Sequence, residues 1–315
     1  MSSKFESGVF GKGIPAWHGL GLVEQGLFTA KEALTKSGMD YKVELRTVLN
    51  EQGIIIPGIF SVTRMDTFAH LGFVTERYNP FQNEQLFEIA QEMEADAMFE
   101  TAIVLDGGAQ VATLMCLNRE MYIGGEEYKP YFMLGAFHNG KGGVVGVNCT
   151  TRVVCSNTFG MAMRESTPRR FSLRHVGDWE SRIEEARKSL NMIQKYADDY
   201  VTFAEQLLTK KVSQSQIEAL VNHLIPMPED ADNKRGATMA KTAQESLRNC
   251  IGADDLVNIK GSAWGLVQAT IDFSDHERRV NGADKDQLAA LERAFTRTVN
   301  DTSLKDKALD FLVAI

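Results

Sequence analysis

FETAIVLDGGAQVATLMCL, residues Phe99–Leu117, carries the fold in miniature. Two apolar, β-rich runs, Phe99 to Leu105 and Ala109 to Leu117, flank Asp106-Gly107-Gly108. Asp-Gly between apolar runs is a strong hairpin signal, because glycine takes the positive φ that a tight turn demands. The pattern repeats downstream. Glu120 to Ile123 turns at Gly124-Gly125 into Glu127 to His138, and Asn139-Gly140-Lys141-Gly142-Gly143 leads into Val144 to Cys155. Upstream, Tyr41, Val43, Leu45 and Thr47 alternate with Lys42, Glu44, Arg46 and Val48, the period of a half-buried strand. Ile54 to Val62 and Ala69 to Thr75 are β-rich, and Pro57, with no N–H for a ladder, argues that the first of these is not central in its sheet. Residues 41 to 155 therefore describe an antiparallel meander with one helix inserted, Asn83 to Glu94, whose Leu86, Phe87, Ile89, Ala90 and Met93 share a face. An earlier helix, Ala30 to Ser37, opens on the capping box Thr29/Glu32 and stops at Gly38.

After Asn157 helical periodicity takes over, in Thr158 to Arg164, Trp179 to Leu208, Ser213 to Leu224, Gly236 to Asn249, Ser262 to His276 and Lys305 to Val313. In the longest of these, Ile183, Ala186, Leu190, Ile193, Ala197, Val201, Ala204 and Leu208 recur at three- and four-residue steps. The expected architecture is α+β: a sheet-rich domain with an N-terminal arm over residues 1–157, then a helical region over 158–315. An exposed acidic loop near 226–233 follows from Pro226, Pro228 and Glu229-Asp230-Ala231-Asp232. No repeat of 20 to 50 residues is visible.

A chain of 315 residues accommodates one large or two ordinary domains, and 43% hydrophobic with 24% charged residues is ordinary globular composition. No apolar run reaches the roughly 18 to 20 residues of a membrane span, and Met1 to Lys12 lacks a secretory apolar core, so the expectation is a cytoplasmic, non-membrane protein. Cys116, Cys149, Cys155 and Cys250 lack zinc-ligand spacing and read as buried reduced thiols. A net charge of −8 argues against indiscriminate coating of nucleic acid and leaves room for a local basic groove.

Such a reversal of sign occurs around Thr151-Arg152-Val153-Val154-Cys155-Ser156-Asn157-Thr158, read as a strand running through a polar turn into a helix. Between residues 152 and 175, Arg152, Arg164, Arg169, Arg170 and Arg174 face one acid, Glu165. With His175 as a further cation and Phe171 as a stacking face, these residues have the chemistry of a groove for a phosphate backbone. The plainer reading is a solvated connection whose arginines pair with carboxylates elsewhere. Asn139 to Gly143 reads first as a hairpin turn; it lacks the Walker order, and any ligand role falls to Lys141 on a phosphate. Trp17-His18 reads as an aromatic docked on the body beside a hydrogen-bonded histidine. Asp272, Asp275 and His276 read as a solvated helix end before a cation site. The remaining histidines form no H-E-x-x-H pair, and no G-x-S-x-G elbow exists, so the sequence names no catalytic constellation and implies no cofactor.

The chain resembles the phage/plasmid-like proteins grouped as domain of unknown function 932. The matching points run in order: Trp17-His18-Gly19-Leu20-Gly21; Arg64-x-Asp66; Leu71-Gly72-x-Val74; Tyr78-Asn79-Pro80-Phe81-Gln82-Asn83; Thr151 to Thr158; Leu173-Arg174-His175; Trp264-Gly265 with Ala269-Thr270; and Asp275-His276. It departs at His138-Asn139-Gly140, where the family usually reads His-Asp-Gly, which weakens any role for a carboxylate there. The resemblance implies a role in the DNA metabolism of mobile elements and supplies no activity. By pattern alone, a meander followed by a basic junction is similar to the Rad-type single-strand-annealing recombinases, an analogy of fold. The expectation is therefore a homo-oligomeric, single-stranded nucleic-acid-binding protein of annealing type, with Arg152, Arg164, Arg169, Arg170, Arg174 and Lys141 on phosphates. The alternatives are a structural or host-interaction protein and a metal-dependent nuclease.

Overall fold

The computed structural model describes residues 5–11, 21–91, 97–152, 157–159, 170–180, 193–230, 232–277 and 303–315. The protein is α+β with antiparallel sheets and several helices in its C-terminal half. Its chain divides into two compact units that interleave along the sequence. The first comprises residues 1–119, 130–149 and 162–195, the second residues 120–129, 150–161 and 196–315.

The first unit is built around the hairpin with which the sequence reading began. Strands β6 (Ala97–Leu105) and β7 (Gln110–Leu117) pair antiparallel, with Leu105 opposite Gln110. Asp106, Gly107 and Gly108 all take positive φ (56°, 65° and 94°), so the turn demands its glycines. Around this pair lie β9 (Glu126–Phe137) and β10 (Val144–Arg152), both of which also give residues to the second unit, and β1 (Phe5–Phe10) with the short β2 (Leu22–Val23). The order is β10-β9-β7-β6-β1-β2, with β1 and β2 parallel. Helices α1 (Ala30–Ser37) and α2 (Asn83–Gln91) and a three-stranded sheet, β3 (Val43–Leu49), β4 (Ile55–Arg64) and β5 (His70–Thr75), share its core. Phe28, Phe81, Phe99 and Phe132 are buried there, each contributing about 1.5–3 kcal/mol by leaving water. The capping box of α1 is formed: Glu32 N–H donates to Thr29 Oγ1 (3.3 Å) and Thr29 N–H to Glu32 Oε2 (2.9 Å).

Two expectations about strands are corrected. Pro57 does not keep its strand at an edge: β4 is the middle strand of β3-β4-β5. The register spares it, because β3 pairs with Ile55 and then Phe60 across a bulge, and β5 ends opposite Ile59. The segment after β10 does not turn directly into a helix. Asn157–Phe159 (β11) folds back on β10, with Arg152 opposite Asn157, and Arg170–Leu173 (β12) pairs with Val144 to Val147. Thr158, Phe159 and Phe171 are residues that favour a pleated surface, and the edge of β10 gives their backbone a ladder that no isolated helix could match. Residues 160–164 of the expected helix lie outside the described residues.

The second unit holds β8 (Met121–Ile123), in a hairpin with the start of β9, and helices α3 (Ile193–Thr209), α4 (Gln214–Leu224), α5 (Lys234–Gly252), α6 (Ala263–Asp272) and α7 (Ser303–Ala314). Every residue of α6 from Ala263 to Ile271 is buried, and Ser262 caps it by accepting from Gly265 N–H at 3.0 Å. Trp264 packs with Tyr128 and Tyr200, and its indole N–H donates to the Tyr128 hydroxyl at 2.9 Å. Cys116, in the first unit, and Cys250, in the second, are buried cysteines outside any disulfide. Among the described residues, no helix is long and apolar enough to cross a membrane.

Candidate functional site

The first unit carries an open cleft of about 810 Å³. Its walls come from β5 and the segment after it (Phe73, Arg77, Tyr78), the loop Asn139–Gly143, and β12 with its continuation (Ser172, Arg174, His175). Close backbone contact places these elements. A Cβ on Gly72 would stand 2.4 Å from the Asn139 carbonyl, and one on Gly140, at φ +73°, would meet Phe73 O at 2.9 Å. Only glycine at these positions lets the loop lie against β5. The loop is not a full nest of free amides, because Lys141 N–H donates to Asn139 Oδ1 at 2.9 Å. What it presents is the exposed Lys141 side chain.

The electrostatics of the cleft are one-sided. Arg77, Lys141 and Arg174 line it and are exposed, and among the described residues no aspartate or glutamate lines it. The nearest acid in sequence, Glu76, is exposed on β5's continuation and does not line it.

Beneath the cleft lies a buried aromatic and polar cluster. His175 stacks on Tyr78 (centroids 4.7 Å, planes 14° apart) and meets Trp179 and Phe81 edge-on. His138, fully buried, shares a 2.8 Å hydrogen bond with Asn83 Oδ1 through Nε2. Asn83 Nδ2 donates to Met39 O, so its oxygen faces the ring and His138 is the Nε2–H tautomer. Among the described residues, the Tyr78 hydroxyl and His138 Nδ1 have no hydrogen-bond partner, and the His175 nitrogens face the Phe137 and Asn79 carbonyls without good hydrogen-bond geometry. Burial pushes the pKa of His175 down to about 4; burial, with His175 beside it, pushes that of His138 down to about 3. Both rings are neutral at pH 7.

The sequence-derived residues therefore divide. Lys141 and Arg174 come together at the cleft. His175 is corrected: it is 3% exposed and uncharged, so it supports the wall and supplies no cation. Arg170 and Phe171 sit on β12 opposite Val147 and Gly146, their side chains outside the described residues. Arg152 ends β10 in the second unit, its side chain likewise outside the description. Arg164, Arg169 and the Trp17-His18 pair lie outside the described residues altogether. Arg77 and Phe73 were missed. The available signal was their position beside Tyr78-Asn79-Pro80-Phe81, since Tyr78, Asn79 and Phe81 are anchored at the cleft or beneath it. Asn79 N–H donates to His175 O, its side chain donates to Gly177 O, and its own carbonyl accepts from Trp179.

Arg64-x-Asp66 proves to be structural. Buried Arg64 holds Asp66 in a fork (2.7 and 2.9 Å), bonds Glu6, and lies 4.0 Å over the Tyr41 ring. Among the described residues, no group of three or more His, Cys, Asp or Glu side chains is placed to hold a metal ion.

The model of the family described as "Domain of unknown function (DUF932)" matches residues 70–309, more than half of the chain, and the chain belongs to that family. No curated protein and no solved structure matches it significantly.

Proposed function

We propose that this member of the unknown-function family binds single-stranded nucleic acid along the cleft of its first unit. It would act without bond breaking or a cofactor, as a homo-oligomeric annealing-type protein encoded by a phage or plasmid and working in the host cytoplasm. One observation carries the reading: Arg77, Lys141 and Arg174 converge on a cleft that no carboxylate lines among the described residues, in a chain of net charge −8. A cluster of three cations on one open cleft of an acidic protein is a surface suited to a polyanion, and lysine and arginine heads match successive phosphates without reading sequence.

Fluorescence anisotropy with a labelled single strand, repeated from low to high salt, tests it. Three phosphate contacts give a log–log salt slope of about −2. Lys141→Ala and Arg174→Ala each weaken binding several-fold and flatten that slope. Salt-independent binding, or variants that bind as the parent does, would sink the proposal.

A second reading, an interaction protein of a mobile element, is favoured by Leu49, Ile54 and Ile55, exposed together around the β3–β4 turn. Its mark is an oligomer or complex that forms normally while the same titration shows no strand binding.

A further inference from the structure

The register of the three-stranded sheet places Arg46, Ser61 and Phe73 in one row across β3, β4 and β5, and cross-strand partners share a face. Phe73 is 60% exposed on that face, where burial would be the ordinary fate of a strand phenylalanine. It is also a wall residue of the cationic cleft, and its carbonyl is in close contact with Gly140, the residue before Lys141. The ring is backed. His70 lies against it with centroids 4.2 Å apart and planes at 42°, and His70 is itself fixed by a 2.7 Å hydrogen bond between Nδ1 and Ser61 Oγ. Arg46 in the same row pairs with Glu44 at 2.9 Å, so the row's charge is balanced and the cleft supplies the net positive field.

We infer that Phe73, backed by His70, is a stacking platform for an unpaired base, and that the cleft therefore selects single strands over duplex. The inference rests on the reading of the cleft as a phosphate-backbone site and adds to it the feature that tells strand from duplex. Charge alone favours any polyanion, and duplex the more because its charge density is higher. An exposed aromatic face discriminates in the opposite sense, since a base in a duplex already has both faces covered and an unpaired one does not. Aromatic side chain beside lysine, within one cleft, is the arrangement that takes a base and its phosphate together.

The experiment uses the full chain and three probes of equal length: oligothymidylate, the same deoxyribose-phosphate strand without bases, and a duplex. The parent protein is expected to bind oligothymidylate on the order of 10-fold more tightly than the abasic strand. Phe73→Ala removes that gap and leaves abasic affinity unchanged, Phe73→Trp preserves it, and Phe68→Ala, at a still more exposed phenylalanine (73%) that does not line the cleft, leaves both affinities alone. A gap that survives in Phe73→Ala overturns the platform. If Lys141→Ala still weakens all three probes in that case, the cleft reading stands without it. A Phe73→Ala change in oligomeric mass with the gap intact assigns the ring to a second copy of the chain, again overturning the inference. A parent that binds no strand removes the cleft reading and the platform together.

Discussion

Two signature regions of this chain look alike in sequence and differ in what they build. Tyr78 to Asn83, with Gly72 and Leu173-Arg174-His175, surrounds an open cleft in the first unit. Trp264-Gly265 with Ala269-Thr270 lies wholly inside the second. Each combines aromatic residues, a glycine in tight backbone contact and buried polar groups. In the second unit the motif is shut inside a buried helix: Trp264 donates to Tyr128, Thr270 Oγ1 donates to Leu266 O, and Gly265 leaves room for the Ile259 carbonyl, 2.4 Å from where a Cβ would be. In the first unit the motif borders an open cleft lined by Arg77, Lys141 and Arg174. A motif enclosed on every side stabilises a fold. One that borders a charged opening is also within reach of a ligand.

The contrast can be broken by mutation. Trp264→Ala should cost about 3–5 kcal/mol by urea denaturation, through the cavity and the Tyr128 hydroxyl left behind. Strand affinity of the folded protein should not change; if it falls in step with stability, the two regions are not functionally distinct.

Acid should find the cleft's support first. His175 is neutral when folded, with its pKa lowered to about 4, and free to take a proton near pH 6.5 when unfolded. A depressed histidine makes the unfolded state bind more protons between those values. Stability is therefore full above about pH 6.5 and falls as pH drops toward 4, by about 3 kcal/mol for this residue. His138, depressed in the same direction, adds to the loss. Unfolding midpoints from pH 7 to pH 4 in the parent and in His175→Phe measure it, and an equally steep profile in both would remove His175 from the account.

Gly72→Ala should cost about 1–3 kcal/mol, because its Cβ would fall within 2.4 Å of backbone that must then move. Since that backbone carries the Lys141 loop, strand binding should weaken as well, a double effect with no counterpart for Trp264. Lys141→Ala is the mildest. Its stability should lie within about 0.5 kcal/mol of the parent, as for most exposed positions. Only affinity and salt slope should change, and a stability loss comparable to that of Gly72→Ala would recast the lysine as structural.

Much of the fold was legible. Asp106-Gly107-Gly108 announced its hairpin because the demand for positive φ is local, and Thr29 with Glu32 announced the start of α1 because a capping box closes within four residues. The errors came where the partner was distant. Pro57 sits in a middle strand because the bulge that spares it belongs to the pairing with β3. β12 is a strand because β10 offers it an edge. The site was half legible: Lys141 and Arg174 could be named as cations, while Arg77 and Phe73 are marked in the sequence only by their place beside Tyr78-Asn79-Pro80-Phe81.

The sequence by itself determined the hairpins, the caps, the helical periodicities of the C-terminal half and the reversal of charge that pointed to a polyanion, since each depends on residues within a turn or two of one another. Tertiary structure alone decided which charges act together. It placed Arg77, Lys141 and Arg174, nearly a hundred residues apart from first to last, on one cleft, and it took His175 out of the set of cations. The reason is that charge in a protein is a property of surroundings as much as of residue type. An imidazole in water is near its pKa at neutral pH, and the same ring enclosed by Tyr78, Phe81 and Trp179 loses the hydration that would hold its proton.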